Sequence, residues 1–335
     1  MARNTVKRVK TGSLERRFSM ARAGLVAGAR YATLSAGTFF TSPEKRAERR
    51  SEILSAQAES LVEELGQLKG SVVKIGQMMA LFGEHFLPAE VTEALHTLEN
   101  KTTALEWETI DRHLRQQLGE IKREELEVDP EPLGAASLGQ VHRATRKRDG
   151  LEVVLKIQYP GVADAIDSDM RAIVRLLKWS RLVPITEEFN QWLAEVREML
   201  AREVDYDLEA NTTEYFRRAL SDDDRFVVPE VVHEFSSHNI LCLTFEHGIG
   251  INDPSIPQLS QQRRNYMGRA IMELCCREVF EWDRMQTDPN FGNYLLRPGR
   301  DGEPDRIVLL DFGAIREFEH ATLGPGREMI RGAWH

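Results

Sequence analysis

Gln286-Thr287-Asp288-Pro289-Asn290-Phe291-Gly292-Asn293, two short apolar segments at 294–297 and 306–310, and Asp311-Phe312-Gly313 form the stretch that decides the fold. The apolar segments have strand character, and the turn between them is rich in Gly, Pro and Asp, so the chain reads as loop, strand, turn, strand, loop. Asp288 and Asn293 are held at a fixed D-x-x-x-x-N spacing, and Asp311 follows directly on Val308-Leu309-Leu310. Oxygen donors of this kind suit a hard cation such as Mg²⁺. Asn293 and Asp311 are therefore candidate metal ligands, and Asp288 is a candidate for orienting a nucleophile or a water.

Further upstream, Gly134-Ala135-Ala136-Ser137-Leu138-Gly139-Gln140-Val141 has the spacing of a kinase G-x-G-x-x-G-x-V loop, with Ala136 in place of the middle glycine. Glycines there let a backbone close over nucleotide phosphates, because a Cβ would obstruct the approach. Val153-Val154-Leu155-Lys156 resembles the V-A-I-K strand whose lysine reaches the α- and β-phosphates. Segments 127–133, 139–146 and 151–158 predict three antiparallel strands, the last two joined by a hairpin turn at Arg148-Asp149-Gly150. Helices are expected at 162–181 and 187–220, strands at 226–234 and 240–246, and a helix at 258–284 with Met267, Ile271, Leu274, Val279 and Trp282 toward the core.

The N-terminal part is helical. Leu54, Ala58, Leu61, Leu65, Leu68, Val72, Ile75, Met79 and Phe82 recur in steps of three and four, which predicts one amphipathic helix over 52–82, and a second helical stretch runs from Ala89 to Leu118. Lys74 and Gln77 lie one turn apart beside that apolar stripe. Read as one helix, 187–220 would point Glu203 and Glu209 about 120° apart, too far to serve one partner. Lys74 and Lys156 are the two lysines that need acids, so one of these glutamates is expected beside Lys156 and the other beside Lys74.

Taken in order, Lys74-Ile-Gly-Gln77, Ala135-Ala-Ser-Leu-Gly-Gln-Val-His142, Lys156-Ile-Gln-Tyr-Pro-Gly161, Glu203-Val-Asp205-Tyr, Gln286-Thr-Asp-Pro-Asn290 and Leu310-Asp-Phe-Gly313 resemble the UbiB family of atypical kinases, with Thr-Asp-Pro-Asn of the mitochondrial type. The resemblance implies an α+β, protein-kinase-like two-lobed fold with a helical N-terminal extension that carries K-x-G-Q. It implies Mg²⁺-dependent binding of ATP or ADP, ATPase activity, and support of ubiquinone biosynthesis at a membrane. By motif, Lys156 contacts phosphate with Glu209 as its helix partner, and Asp288 is the catalytic aspartate. Asn293 and Asp311 hold metal; Gly134, Ala135, Ala136, Ser137, Gly139 and Val141 line the nucleotide. Lys74, Gln77, Glu203 and Asp205 are regulatory, with Lys74 and Gln77 where a protein substrate would otherwise dock and Glu203 holding them there. Two departures stand out. The loop opens with Gly134 where the family has alanine, and few residues follow Gly313 where the family continues through several helices, so the C-lobe is expected to be incomplete. The expected segments are 1–50 (basic tail), 51–125 (K-x-G-Q extension), 126–247 (N-lobe with inserted helices) and 248–335 (partial C-lobe).

The chain has 335 residues, 41% hydrophobic and 29% charged, with a net charge of −9, a balance that excludes a nucleic-acid-coating protein. Residues 1–30 hold eight Lys/Arg against Glu15 alone, so a basic start precedes an acidic remainder. That start is a solvated tail, a surface for anionic lipid, or an organelle transit peptide. No segment is apolar enough to span a bilayer. The expected location is the cytoplasm, peripheral on a bacterial inner membrane, with mitochondria as the alternative. Expected partners are nucleotide, quinone-biosynthesis enzymes or lipid, with weak contact to anionic membrane and none to nucleic acid. Cys242, Cys275 and Cys276 make no disulfide framework and no C-x-x-C pair, and Cys275-Cys276 falls in an apolar helical pattern. The functional alternatives are a nucleotide-binding scaffold without turnover and a true protein or small-molecule kinase.

Overall fold

The computed structural model describes residues 71–83, 86–96, 104–136, 138–180, 186–288, 290–299, 303–319, 324–325 and 327–329. The basic tail, the first half of the long expected helix and Ser137 lie outside the described residues. The chain forms two compact units, one of residues up to 143 together with 156–204, the other of 144–155 together with 205 onward.

The first unit contains helices α1 (Ser71–Phe82), α2 (Ala89–His96), α3 (Trp107–Leu118) and α4 (Glu120–Glu124), strands β1 (Leu126–Val128) and β2 (Gly134–Ala135), and helices α5 (Val162–Ser180) and α6 (Glu187–Glu203). Strands β3 (Gly139–Arg146) and β4 (Leu151–Gln158) run through both units. Val72, Ile75 and Met79 are buried, as their spacing predicts, and α1 packs on α2, α5 and α6. In α5, Val162, Ile166, Ile173 and Leu177 fall on one buried face. Helix α6 starts where the Thr186 hydroxyl accepts the N–H of Phe189, and Phe86 stacks on Trp192 at 5.3 Å.

In the second unit are α7 (Tyr206–Ala219), β5 (Phe226–Val227), β6 (Ile240–Thr244), β7 (Ile249–Gly250), α8 (Gln261–Phe280), β8 (Arg284–Gln286), β9 (Tyr294–Arg297), β10 (Arg306–Leu309) and β11 (Ile315–Glu317). The five-stranded sheet has the order β1-β3-β4-β6 with β2 on β3; a four-stranded sheet runs β5-β10-β9-β7, and β8 pairs with β11. The hairpin turn stands as expected, with Gly150 at φ +73°, a conformation that costs a glycine nothing.

Several expected elements are shorter than their sequence pattern. The 89–118 stretch is interrupted because Leu105 leaves helical geometry to donate its N–H to Gln140 Oε1 at 2.9 Å. The 127–133 strand stops at Val128, where the Asp129 side chain accepts the N–H of Glu131 and turns the chain. The 226–234 strand is limited to Phe226–Val227, since Pro229 has no donor and His233–Phe235 form a 3₁₀ turn. The 187–220 helix is two helices, broken at Val204. There the Gln158 amide donates to the Val204 carbonyl at 2.5 Å, and the Asp205 carboxylate begins the next helix by accepting the N–H of Leu208 at 2.9 Å.

On α8, Met267 and Leu274 are buried as expected, while Ile271, and Trp282 just past the end of the helix, are partly buried against the same core. Val279 is only half-buried, and the fully covered neighbour is instead a carboxylate, Glu278. Cys275 and Cys276 are both exposed, contrary to their apolar surroundings in sequence, and Cys242 is buried in β6.

Candidate active site

Strand pairing in the second unit builds the acidic part of the site. Register in the β9–β10 hairpin sets Leu309 opposite Tyr294, so the residues just outside it, Asn293 and Leu310, also meet: the Leu310 N–H donates to the Asn293 carbonyl at 2.9 Å. The β8–β11 pair sets Gln286 opposite Ile315, and the Thr287 N–H donates to the Ala314 carbonyl at 3.1 Å. Both loops therefore emerge at the end where Asp311-Phe312-Gly313 crosses from β10 to β11. Asn293 Nδ2 donates to the Asp288 carbonyl at 3.3 Å, which ties the two ends of the D-x-x-x-x-N loop. Asn290 Oδ1 accepts the N–H of Gly292 at 2.9 Å and shapes the turn inside it.

Phe312 explains how Asp311 and Gly313 are presented. Its ring is buried and stacked on Phe216 at 4.9 Å, and its two neighbours stay half-buried on either side. Asp311 Oδ1 accepts the N–H of Gly313 at 2.9 Å. Glu209, 2% exposed on α7, approaches the same turn: a Cβ on Gly313 would lie 3.1 Å from Glu209 Oε2 and 3.3 Å from Asp311 Oδ1. Two carboxylates thus converge on one point with the Asn293 amide nearby, a donor set of hard oxygens that fits Mg²⁺. The proximity of Glu209 to Asp311 is not legible in sequence, because it depends on how α7 packs against the turn.

The first unit holds the loop and its lysine. Gly134 pairs with Val141 and Ala135 with Gln140, and the Ala136 N–H donates to the Gly139 carbonyl at 2.8 Å, closing a tight loop. The glycine that this geometry requires is Gly139, where a Cβ would stand 2.5 Å from the Ile157 carbonyl oxygen; a Cβ on Gly134 would meet nothing. Ala136 is exposed at the tip, and Val141 and Lys156 are half-buried on β3 and β4. Gln140 and His142 were not singled out as site residues by sequence. Both are buried; besides holding Leu105, the Gln140 amide donates to His142 Nε2 at 2.8 Å, and His142 Nδ1 donates to the Asp129 carbonyl at 2.7 Å. Burial holds the His142 imidazole below its usual range, with the Asp129 carbonyl opposing.

Lys74 Nζ and Glu203 Oε1 form an ion pair at 2.6 Å, as the sequence suggested, and Gln77 is half-buried one turn along α1. The angular argument behind that pairing does not hold, since Glu203 ends α6 while Glu209 lies in α7. Asp205 caps α7, and its side chain is engaged with Leu208.

Residues 97–333 match the ABC1 atypical kinase-like domain. The chain belongs to this family, the UbiB family of atypical kinases. It is 35% identical over 283 residues to mitochondrial atypical kinase COQ8 of Saccharomyces cerevisiae, covering 84% of this chain and 55% of that protein. It is 34% identical to probable serine/threonine-protein kinase abkA of Dictyostelium discoideum, covering 82% of this chain and 50% of that one. Among solved structures, Rv3197 of Mycobacterium tuberculosis, determined with erythromycin, matches with a TM-score of 0.52 and 30% identity over 81% of this chain and 68% of that one. The chain spans about half the length of the curated relatives it matches. The fold is mixed helix and sheet and kinase-like. Among the described residues, no helix is long and apolar enough to cross a membrane.

Proposed function

We propose that this UbiB-family chain binds Mg²⁺-ATP and Mg²⁺-ADP and hydrolyses ATP in support of isoprenoid quinone biosynthesis at a membrane surface. The observation that carries the reading is the convergence of Asp311, Glu209 and the Asn293–Asp288 loop on the D-F-G turn of the second unit. Bound there, Mg²⁺ would neutralise charge on the phosphate oxygens. Asn293 and Asp311 are its proposed protein ligands. Asp288, exposed at the head of its loop, orients the attacking water and accepts its proton as the bond from the γ-phosphorus to the bridging oxygen of ADP breaks.

In the first unit, the loop from Gly134 to Val141 is assigned to the phosphates, together with Lys156. Lys74, Gln77 and Glu203 are assigned to regulation, with the Lys74–Glu203 pair fixing the K-x-G-Q helix and limiting access of bulky substrates. Asp205 contributes by setting where α7 begins. The basic segment at 1–30 is assigned to weak contact with anionic lipid, in keeping with the mitochondrial names of the COQ8 relatives.

Turnover of γ-labelled ATP beside an Asp288→Asn control tests the reading. Release of labelled inorganic phosphate that the substitution abolishes is the expected result. Label accumulating on a protein or lipid partner would replace hydrolysis with transfer, and nucleotide binding without turnover would leave a scaffold.

A further inference from the structure

We infer that Gln286 is a positioning residue, whose amide sets the places of Asp288 and Asp311 together and whose backbone is fixed by the buried carboxyl group of Glu278. The inference rests on the roles proposed above for Asp288 and Asp311. It adds the device by which they keep their spacing, and this device uses a residue to which the function so far gives no part.

Gln286 ends β8, two residues before Asp288. Its Oε1 accepts the Asp288 N–H at 3.2 Å, and its Nε2 donates to the Asp311 carbonyl at 3.0 Å. One planar amide thus has its acceptor on one proposed functional loop and its donor on the other. Those loops are 23 residues apart in sequence, and their nearest strand contact, Gln286 opposite Ile315, falls short of both aspartates. A planar group with a donor at one end and an acceptor at the other is the simplest side chain that can hold an N–H and a carbonyl at once. Glutamate keeps the acceptor but puts a carboxylate oxygen against the Asp311 carbonyl. Alanine removes both bonds.

The anchor is as unusual as the amide. The Gln286 N–H donates to Glu278 Oε2 at 3.1 Å, and Glu278 is 5% exposed at a position of α8 one turn beyond buried Leu274. A carboxyl group in that place costs stability that an apolar residue would not, so its burial calls for a specific bond. Burial pushes its pKa up, and the Gln286 N–H partly opposes that shift. Glu278, Gln286, Asp288 and Asp311 then form a single chain of hydrogen bonds within the second unit, leading from the helix core to the turn that carries the proposed metal ligand.

The test uses the full 335-residue chain, ADP as probe, calorimetry over a range of Mg²⁺ concentrations, and hydrogen exchange at the Asp288 amide without nucleotide. Gln286→Glu is expected to raise the Mg²⁺ concentration for half-maximal ADP binding by roughly 5- to 10-fold, the size of one lost hydrogen bond, with Asp288 exchange still slow. Gln286→Ala is expected to show the same Mg²⁺ shift and faster Asp288 exchange. Glu278→Leu, which removes the acceptor of the Gln286 N–H, is expected to move the Mg²⁺ dependence in the same direction, and parent behaviour in that variant would overturn the part assigned to Glu278. A Gln286→Glu protein that melts with the parent and has the parent's Mg²⁺ dependence overturns the inference while leaving the functional reading intact. A parent chain without Mg²⁺-dependent ADP binding overturns both.

Discussion

The Lys74–Glu203 pair can be weighed by a double-mutant cycle. At 2.6 Å, with side chains 23% and 34% exposed, the Coulomb attraction at an effective dielectric of about 20 is about 6 kcal/mol. Partial desolvation and the entropy of fixing two long side chains take back most of it. A net coupling of about 1 to 1.5 kcal/mol remains, at or just above the upper end for exposed pairs. Urea denaturation of the parent, Lys74→Ala, Glu203→Ala and the double variant gives this coupling directly. Repeating the cycle at about 1 M salt, where the Debye length shrinks to about 3 Å, should reduce it by less than half, because the pair is in direct contact and partly covered. Its consequence for the proposed regulation is that Lys74→Ala alters nucleotide selectivity or turnover as well as stability. A coupling within about 0.3 kcal/mol of zero, together with unchanged nucleotide selectivity, would refute the idea that this contact restrains the K-x-G-Q helix.

Other consequences follow from single contacts. Gly139→Ala sets a Cβ 2.5 Å from the Ile157 carbonyl, a backbone atom that cannot swing aside, so a loss of about 2 to 3 kcal/mol is expected in urea unfolding; parent stability would show that β4 yields there. His113 and His142 are both held below the ordinary histidine range by burial, so the stability they contribute is complete above about pH 6.5 and falls as the pH drops below it. The slope is at most about 1.4 kcal/mol per pH unit for each histidine. His142→Gln should therefore flatten the loss of stability between pH 7 and 5, and an unchanged slope would remove His142 from the account. Deleting residues 1–40 should lower co-sedimentation with anionic liposomes at low salt, since residues 1–30 carry eight basic groups. Equal sedimentation with and without the segment would contradict a membrane role for it.

What could be read in advance was whatever depends on local chemistry at fixed spacing. The β9–β10 hairpin and the Asp311-Phe312-Gly313 turn were legible because apolar runs, turn residues and oxygen donors follow one another within a short stretch. Gly150 was legible because a tight hairpin needs a residue that accepts positive φ. The features that were missed depend on distant partners. Nothing near Val204 in sequence announces that Gln158 will take its carbonyl and split the expected helix, or that Gln140 will draw Leu105 out of another. Glu278 could not be read as a buried residue, since a carboxylate within a helix ordinarily marks its solvated face. Lys74 and Glu203 were paired through the family motif, while the angle that separated Glu203 from Glu209 assumed one helix where there are two. The Lys74–Glu203 pair forms all the same, at the end of α6.

The central claim is that the second unit's carboxylates take a magnesium-bound nucleotide. Calorimetric titration of the parent and Asp311→Asn with ADP, with and without Mg²⁺, tests it most directly. Heat of binding that requires Mg²⁺ is expected in the parent and is abolished in Asp311→Asn, with the melting temperature without nucleotide nearly unchanged, because an amide keeps the carboxylate's shape but not its charge. Equal Mg²⁺-dependent affinity in the two proteins would contradict it.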